Sequence, residues 1–366
     1  MRVVVAGGGS GGHVLPGLAV IEALRVLAPD TEIAWLGSYG SMEERLVRDA
    51  DVRLLLVHAG KLNRFVSAQT VRDVAKVPLG CVEAFARLRT FRPDAVLTTG
   101  GYVAVPAGVA TRLQGLPLLV HQQDVVPNLA NRLLAPFATT INVTFAPSRT
   151  LFNALHIVQE GNPVRETLFH GDAERARALF GFPPGVPIVL VTGGSQGARG
   201  LNTLLFQALP RLVSRMVVIH ACGEKFLTDA RRIRDTLPAS CQVRYVPRGF
   251  LGAEMADALA AATLVLGRAG ASTLSELAAL GKPGVLVPLP AGWGGSPQRE
   301  NARYAERMGA AVMAEQSSMT GERLADLLLK VMGDQRMIAE MQTHMRALGK
   351  RDAAGRIAAR LLQLAA

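Results

Sequence analysis

The sequence contains one local pattern twice: a short apolar run, rich in β-branched residues, that leads directly into a glycine-rich loop. Residues 2–6 lead into GGGSGG at residues 7–12, and residues 188–191 lead into GGSQG at residues 193–197. A buried strand followed by a glycine loop and a helix is the opening unit of a Rossmann-like domain. The chain has 366 residues, more than one hydrophobic core usually organises. We therefore predict two Rossmann-like domains.

Short apolar runs alternate with longer helical patterns after each glycine loop. In the first half they predict strands at residues 2–6, 32–36, 53–57, 95–97, 118–120 and 140–143, and helices at residues 17–27, 42–48 and 67–90, the last interrupted near Pro78. After a proline-rich linker, they predict strands at residues 188–191, 217–219, 243–246, 264–266 and 284–287. This alternation predicts an α/β fold with a doubly wound parallel sheet in each domain. Ligands bind at the carboxyl ends of such strands, so we expect the active site in the cleft between the domains.

Composition argues against several classes of protein. The three cysteines lie far apart and form no C-x-x-C pair, which disfavours a disulfide framework and a zinc site. The uncharged residues 3–21 include six glycines and a proline, so we expect a strand, a loop and a helix there rather than a membrane span or a secretory signal. The net charge of +11 favours an anionic partner. Because the chain has no RNA-binding aromatic motif and no zinc-finger spacing, we expect no nucleic acid, and anionic lipid and anionic substrates both stay open.

The first glycine loop carries a G-x-G-x-x-G pattern at Gly7, Gly9 and Gly12. A nicotinamide dinucleotide site also needs an acidic residue at the end of the second strand, where this sequence has WLGS at residues 35–38. The loop instead predicts a phosphate or diphosphate site, because the N–H groups and the dipole of a helix N-terminus favour anions. His13 follows the loop and is either a general base or a histidine that only caps or packs against the helix.

A third glycine-bearing segment, GRAGASTLSE at residues 267–276, follows a predicted strand. Thr273 and Glu276 have the spacing of a capping box, which alone would explain both residues. A carboxylate in the first helical turn can also accept hydrogen bonds from both hydroxyls of a ribose. The segment is therefore a candidate nucleotide site.

These loops carry a resemblance that extends over about residues 3–310. The matching segments are GGSGGHVLPGLA at residues 8–19, GGYV at 100–103, GNPVR at 161–165, GGSQGA at 193–198, RAGASTLSE at 268–276 and QRENA at 298–302. In this order they resemble the MurG family of peptidoglycan glycosyltransferases, which add N-acetylglucosamine to lipid I. The resemblance implies a GT-B fold. It places an N-terminal domain at residues 1–163, with a C-terminal helix at about residues 348–366 packed on it, and a UDP-N-acetylglucosamine-binding domain at residues 164–347.

The resemblance also implies the reaction. N-acetylglucosamine passes from UDP-N-acetylglucosamine to the 4-hydroxyl of the N-acetylmuramic acid of lipid I, with inversion at C1, to give lipid II. A base must take the hydroxyl proton, and His13 is the candidate. No acidic pair stands at the glycine loops to hold a metal. Helix N-termini and Arg165 are therefore expected to stabilise the leaving diphosphate, and we expect no cofactor.

Individual residues take roles from the matching motifs. Tyr102 belongs to the acceptor side, together with His13 and the loop before it. The loop of Ser195 contacts the donor phosphates, Glu276 contacts the ribose, and the backbone near residue 251 contacts the uracil. Gln298 and Asn301 are expected at the sugar hydroxyls. Ser10, Gly11 and Gly12 of the loop before His13 are also counted as donor-binding. The other residues counted as donor-binding are Asp124, Arg165, Ser195, Leu251, Ala271, Ser272, Thr273, Leu274, Ser275, Glu276, Gln298 and Asn301.

One segment departs from the family pattern. The family usually has His-Glu-Gln-Asn where this chain has HQQD at residues 121–124. The carboxylate of this segment therefore lies two positions further along the chain than in the family pattern. If the segment is strand-like, Gln122 and Asp124 point to the same face, and the carboxylate keeps its side of the strand. An ionised Asp124 cannot donate a hydrogen bond as asparagine does, which changes what this position offers a substrate.

Residues 61–92 combine cations with apolar residues and are predicted to dock on a membrane. They contain seven Lys and Arg and two acidic residues, a net charge of +5. Between the cations, in helical spacing, lie Val74, Val77, Leu79, Val82, Phe85 and Leu88. The alternative is a solvated helix whose apolar side packs on its own sheet. Membrane docking predicts a peripheral protein at the cytoplasmic face of the cell membrane, drawn there by anionic phospholipid.

Two other functions stay open beside this interpretation. One is a related GT-B enzyme that uses another UDP-sugar or another lipid acceptor. The other is a catalytically weak scaffold recruited to the membrane, although the presence of His13, Glu276 and Gln298 argues against it. Proteins of the cell-wall synthesis machinery are a further class of expected partner.

Overall fold

The computed structural model describes residues 1–60, 68–154, 156–194, 196–290 and 297–366, with only the backbone for residues 68–75. The chain divides into two compact units, one of residues 1–165 with 350–366 and the other of residues 166–349. The N-terminal part of the first unit ends at residue 165, whereas the domain boundary expected from the sequence was residue 163.

Each unit is built on one parallel β-sheet. The strands of the first unit are β1 (Arg2–Gly7), β2 (Glu32–Ser38), β3 (Arg53–Val57), β4 (Ala95–Gly100), β5 (Leu118–Gln122), β6 (Thr140–Val143) and β7 (Ile157–Val158), in the order β3-β2-β1-β4-β5-β6-β7. Those of the second are β8 (Ile188–Thr192), β9 (Val217–Ala221), β10 (Tyr245–Arg248), β11 (Leu264–Gly267), β12 (Gly284–Leu286) and β13 (Ala311–Met313), in the order β10-β9-β8-β11-β12-β13. In each sheet the first three strands are added toward one edge, and the next strand is added on the other side of the first strand, β1 or β8. This reversal of strand order confirms the doubly wound prediction.

Helices connect these strands. In the first unit they are α1 (Gly11–Leu27), α2 (Met42–Asp49), α3 (Ala68–Phe91), α4 (Ala104–Leu113) and α5 (Leu129–Leu134). The second unit has α6 (Ala173–Phe180), α7 (Arg199–Leu212), α8 (Leu227–Asp235), α9 (Ala239–Gln242), α10 (Glu254–Ala261), α11 (Ala271–Leu280), α12 (Gln298–Arg307), α13 (Gly321–Gly333) and α14 (Gln335–Leu348). The last helix, α15 (Ala353–Ala365), belongs to the first unit.

The central strand β1 is buried on both faces. Val4 enters the core on one side of the sheet, and Val3 and Val5 enter the core on the other. Ile357 and Leu361 of α15 complete that second core, next to α1. Burial on both faces explains why the sequence of β1 is an unbroken apolar run rather than an alternating one.

Two helices differ from the prediction. α1 begins at Gly11, six residues before the predicted start at residue 17, so that His13 lies in its first turn. α3 continues through Pro78 without the predicted interruption. Beyond that proline, Ala84 and Leu88 are fully buried against the sheet, and this packing outweighs the loss of one backbone hydrogen bond.

Candidate functional site

The first glycine loop closes against the end of β4. The N–H of Gly8 donates to the carbonyl of Gly100 at 3.3 Å. Gly9 has a φ of +88°, and a Cβ atom at this position would meet the Tyr102 ring at 2.5 Å, so both conformation and space require glycine. Ser10 then holds the N-cap position of α1. The loop therefore brings the positive end of the α1 dipole close to Tyr102.

His13 is half-buried in the first turn of α1, and it is not the capping residue. Its Nδ1 lies 3.1 Å from Ser10 Oγ, and its carbonyl accepts the hydroxyl of Thr99 at 2.7 Å. Desolvation by burial lowers the pKa of His13 below its ordinary 6.5, against the opposing effects of the Gly8 backbone and the Glu43 charge. The imidazole is therefore neutral at pH 7 and can accept a proton.

A carboxylate that sequence analysis overlooked organises this loop. Glu43 is fully buried, and one of its oxygens accepts the N–H of Gly9 at 3.2 Å. The other oxygen accepts the hydroxyl of Ser38 at 2.7 Å and the N–H of Ser38 at 3.4 Å. In the sequence Glu43 cannot be told from Glu44, which lies nearer the surface and pairs with Arg48. Helix periodicity around the buried Val47 is the one signal that could have singled it out.

Two cavities share Gly9 and Tyr102 in their walls. One, of about 370 Å³, is bordered by Ser10 and His13 and by apolar side chains of α3, α4 and α5. The other, of about 470 Å³, is bordered mainly by polar side chains that follow β2 and β3. The Tyr102 hydroxyl lies 3.4 Å from Ser38 Oγ, and burial raises the pKa of Tyr102. The structure thus brings Ser10, His13 and Tyr102 together around one cavity.

The HQQD segment does not continue the strand as far as Asp124. β5 ends at Gln122, whose buried side chain donates to the carbonyl of Asp124 at 2.7 Å and to that of Val126 at 3.2 Å. The Gln122 side-chain oxygen Oε1 accepts a hydrogen bond from the Asn131 side-chain amide at 2.7 Å. Gln122 therefore fixes the turn after β5, and the strand on which the predicted shared face with Asp124 depended ends before residue 124. Asp124 itself is half-buried in this turn.

His121, at the start of the same segment, is buried between two asparagines. Asn142 Nδ2 lies 2.8 Å from His121 Nδ1, and Asn162 Oδ1 lies 2.7 Å from His121 Nε2. Burial lowers the pKa of His121 to about 4, so the ring is neutral. Since Nδ1 accepts from the Asn142 amide, Nε2 carries the hydrogen and donates to Asn162. His121 thereby fixes Asn162, three residues before Arg165.

The turn that carries Arg165 is held by the C-terminal helix. Glu160 pairs with Arg356 at 3.7 Å and with Arg360 at 3.3 Å, both on α15. The N–H of Glu160 also donates to Asn142 Oδ1 at 2.8 Å. Arg165 is half-buried, and within the described residues its Nε is a buried donor with no acceptor. These contacts fix the turn that precedes Arg165.

The predicted capping box is wrong. α11 begins at Ala271 with Gly270 as its N-cap residue, so Thr273 lies inside the helix. Glu276 is the sixth helical residue, beyond the first turn, and it is half-buried. Glycine is an acceptable N-cap residue, and the extended backbone at Gly270 lets the helix start earlier than the side-chain spacing implied.

Residues at the start of α11 differ in what they can offer a ligand. Leu274 is fully buried, and the Ser275 hydroxyl donates to the Ala271 carbonyl at 2.7 Å. Their side chains therefore face into the unit. The first backbone N–H groups of the helix, which lie beyond the intrahelical ladder, belong to Ala271, Ser272 and Thr273.

Gln298 and Asn301 join α12 to neighbouring backbone. Gln298 is half-buried, and its Oε1 accepts the N–H of Leu289 at 3.2 Å. Asn301 is fully buried, and its amide donates to the carbonyl of Ala269 at 3.0 Å. The Asn301 side chain thus supports the loop before α11, in addition to any role toward a ligand.

Arg268 is a second residue that sequence analysis did not single out. Its guanidinium donates to the carbonyls of Val287 at 2.9 Å and Pro288 at 3.1 Å, and to Gln316 Oε1 at 2.7 Å. Arg268 therefore connects the loop after β11 to the loop after β12. Gln298 contacts the same loop after β12, through the N–H of Leu289.

Two expected donor contacts remain. Leu251 is buried and its neighbour Phe250 is exposed, so the Leu251 side chain is unavailable to a ligand and only its backbone can be offered. Ser195 lies outside the described residues. Across the described residues, no group of three or more His, Cys, Asp and Glu side chains is arranged to hold a metal ion.

The basic segment divides into parts with different surroundings. Residues 61–67, and the side chains up to residue 75, lie outside the described part. Leu88 is buried in the core of the sheet and Phe85 packs against it, so the prediction of one continuous apolar docking face is wrong for these two. Leu79 and Val82 are 47% and 68% exposed. None of the helices in the described part is long and apolar enough to span a membrane.

Comparison with known proteins agrees with this architecture. Residues 3–143 match the glycosyltransferase family 28 N-terminal domain, and residues 188–357 match the glycosyltransferase family 28 C-terminal domain. The crystal structure of Acinetobacter baumannii MurG is similar with a TM-score of 0.79 and 28% sequence identity, over 99% of each chain. The predicted GT-B fold is therefore confirmed.

Two curated relatives cover 90% or more of the chain. The UDP-N-acetylglucosamine–N-acetylmuramyl-(pentapeptide) pyrophosphoryl-undecaprenol N-acetylglucosamine transferase of Nocardioides sp. is 39% identical over 100% of this chain and 98% of its own. The protein of the same name from Treponema pallidum subsp. pallidum is 35% identical over 90% of this chain and 86% of its own. The chain therefore belongs to the MurG family of glycosyltransferases.

Proposed function

We propose that this chain transfers N-acetylglucosamine from UDP-N-acetylglucosamine to the 4-hydroxyl of the N-acetylmuramic acid of lipid I, and so makes lipid II. The relatives are named for this transfer. The structural observation that carries the proposal is the neutral, half-buried imidazole of His13 in the wall of a cavity beside a helix N-terminus. Such a group can serve as the base that the acceptor hydroxyl requires.

The reaction is one in-line displacement at the donor sugar. O4 of the acceptor attacks C1 while the bond between C1 and the diphosphate oxygen breaks, so an α-linked donor gives a β-1,4 product. His13 Nε2 takes the hydroxyl proton, because Nδ1 lies against Ser10 Oγ. The electron pair of the broken bond leaves with UDP. The lowered pKa of His13 keeps the imidazole unprotonated before this step.

The donor needs positive charge at its diphosphate, where negative charge grows as the bond breaks. In the second unit, the N-terminus of α11 at Ala271 is suited to that task. In the first unit, the Arg165 guanidinium is the group proposed for it. In this proposal the carboxylate of Glu276, half-buried on α11, accepts hydrogen bonds from the two ribose hydroxyls. Gln298, at the first turn of α12, contacts the hydroxyls of the transferred sugar. Asp124, whose turn is fixed by internal hydrogen bonds, stays in the proposed donor site.

Lipid I is anchored in the bilayer, so the enzyme must work at the membrane surface. α3 exposes Leu79 and Val82, and the same helix carries exposed cations at Arg87 and Arg89. Apolar side chains flanked by basic residues favour the interface of an anionic leaflet. These residues support peripheral association with the cytoplasmic face of the membrane.

A product assay tests the proposal. The purified protein is incubated with UDP-N-acetylglucosamine and a water-soluble lipid I analogue, and the product is examined by mass spectrometry and proton NMR. We expect a mass gain of one N-acetylhexosamine residue and a β-1,4 linkage, with much slower transfer from UDP-glucose or UDP-galactose. Efficient transfer of another sugar would favour the related-enzyme alternative, and UDP binding without any product would favour the scaffold.

A further inference from the structure

The larger cavity beside Tyr102 has no part in the reaction described above. Its volume of about 470 Å³ falls within the range of small-molecule sites. We name it the polar cavity, and it is bordered by Tyr39, Ser41, His58, Lys76 and Tyr102, among others. It shares Gly9 and Tyr102 with the smaller cavity that contains His13. A group bound there would therefore lie next to the acceptor sugar.

The side chains around the polar cavity are held by internal contacts. His58 donates its N–H to Glu83 Oε2 at 2.6 Å, and its Nδ1 lies 2.8 Å from Glu83 Oε1. Ser41 Oγ donates to the Ser38 carbonyl at 2.7 Å and accepts the N–H of Glu44 at 3.3 Å. Because these groups are already fixed, a ligand would not have to order them, and binding would cost little conformational entropy.

The wall of the polar cavity offers hydrogen-bonding groups and one exposed cation. Among the residues that border the polar cavity, Glu43 is the only carboxylate, and both of its oxygens accept hydrogen bonds from Gly9 and Ser38. Lys76 is exposed and adds a cation. The Tyr39 ring stands 5.1 Å from the His58 ring, so an aromatic hydroxyl and an imidazole border the same space.

The chemistry of the acceptor links the two cavities, and this step rests on the proposed function. A muramyl sugar carries its peptide on a lactyl ether at O3, the atom next to O4, and it carries its diphosphate at C1, on the opposite side of the ring. When O4 reaches His13, the peptide must therefore leave the ring close to His13, in a different direction from the lipid diphosphate. The polar cavity and the smaller, more apolar cavity offer two such directions.

We propose that the polar cavity binds the peptide stem of the acceptor. Lys76 pairs with a carboxylate of the peptide, and His58 and Tyr39 hydrogen-bond to its backbone. The smaller cavity is left to the sugar and the lipid diphosphate. Peptide binding then contributes to acceptor affinity without touching the reacting atoms.

Two water-soluble acceptor analogues, identical except that one lacks the peptide, test this assignment. Lys76→Gln is expected to raise the KM of the peptide-bearing acceptor by up to about fivefold, the effect of losing an exposed ion pair. The KM of the peptide-free acceptor, the donor KM and kcat should not change. Lys330→Gln, an exposed lysine on α13, is the matched control and should leave all four values unchanged.

A binding measurement separates this inference from the proposed function. A fluorescent N-acetylmuramyl peptide without lipid should bind the wild type in an anisotropy titration, and more weakly the Lys76→Gln variant. Equal KM values of the wild type for both acceptors, or a Lys76→Gln effect of equal size on both, would overturn the assignment. Binding of the muramyl peptide by a wild type that makes no product from either acceptor would instead overturn the proposed function alone.

Discussion

Glu43→Gln removes one charge from the interior of the first unit and leaves the side-chain volume almost unchanged. In the wild type the carboxylate accepts the Gly9 N–H at 3.2 Å, the Ser38 hydroxyl at 2.7 Å and the Ser38 N–H at 3.4 Å. Glutamine offers one oxygen and one NH₂ group, so it cannot accept at both ends. At least one of these buried donors therefore loses its acceptor.

The expected loss of stability follows from these three contacts. Hydrogen bonds to a charged group contribute about 1.5–3 kcal/mol each, against about 0.5–1.5 kcal/mol for neutral ones. One bond is lost and the others become neutral, while relief of the buried charge offsets part of the difference. We expect Glu43→Gln to lower the free energy of unfolding by about 2 kcal/mol. Glu43→Ala, which leaves all three donors without an acceptor, should cost about twice as much.

Glu43→Gln also changes the pKa of His13, because it removes the Glu43 charge. The Glu43 carboxylate raises the pKa of His13, against the larger lowering effect of burial. Without that charge the pKa of His13 falls further, so the loss of kcat/KM in acid should move to lower pH. The direction of this shift distinguishes an electrostatic effect from a simple loss of structure.

Urea unfolding measures the first effect, and the pH profile of kcat/KM measures the second. Asp49→Asn, on the exposed part of the same helix α2, is the matched control. If Glu43→Gln unfolds within about 0.5 kcal/mol of that control and its acid limb does not move, the carboxylate does not organise the glycine loop and our reasoning about this loop fails.

Three further predictions concern the donor site, the membrane and pH stability. Glu276→Ala should raise the donor KM by roughly 10- to 150-fold, the loss of a hydrogen bond to a charged group, and should abolish discrimination between UDP and 2′-deoxy-UDP; retained discrimination would exclude a ribose contact. Arg87→Gln with Arg89→Gln should weaken sedimentation with anionic vesicles by about 2 kcal/mol, at about 1 kcal/mol per cation, and insensitivity of wild-type binding to salt would refute this docking surface. Burial lowers the pKa of His121 to about 4 and that of His220 to about 3. Histidines of the unfolded chain bind protons below about pH 6.5, and these two native histidines do not. Each should therefore reduce the free energy of unfolding by about 1.4 kcal/mol per pH unit as the pH falls from 6.5 toward 4. A free energy of urea unfolding that stays constant over this range would show that the rings are not held neutral.

The alternation of strands and helices could be predicted because the central strands are buried on both faces. Burial makes β1 and β8 unbroken apolar runs bounded by glycine. The strands β7 and β13 were missed because two or three residues show no period. The start of α1 was missed because Gly11 and Gly12 have poor helix propensity, and tertiary contacts decide the conformation there.

The candidate site could be predicted only where its residues form local motifs. His13 adjoins a glycine loop, so its position follows from the sequence alone. The roles of Glu43 and Arg268 depend on partners that are distant in the chain, 34 residues away at Gly9 and 48 residues away at Gln316. The only local signal for Glu43 is its i, i+4 spacing from the buried Val47, and a surface glutamate at the same position would also complement the helix dipole.

The pH dependence of kcat/KM for the acceptor, in the wild type and in His13→Gln, tests most directly whether a neutral His13 drives the transfer. The assay uses saturating UDP-N-acetylglucosamine and a water-soluble lipid I analogue. Because a protonated imidazole cannot accept the hydroxyl proton, the wild-type value should be constant above neutral pH and fall tenfold per pH unit below an apparent pKa lower than 6.5. In His13→Gln it should be at least about 10²-fold lower, with no acid limb and with unchanged UDP binding. An acid limb that persists in His13→Gln, or a rate that does not fall, would contradict the account.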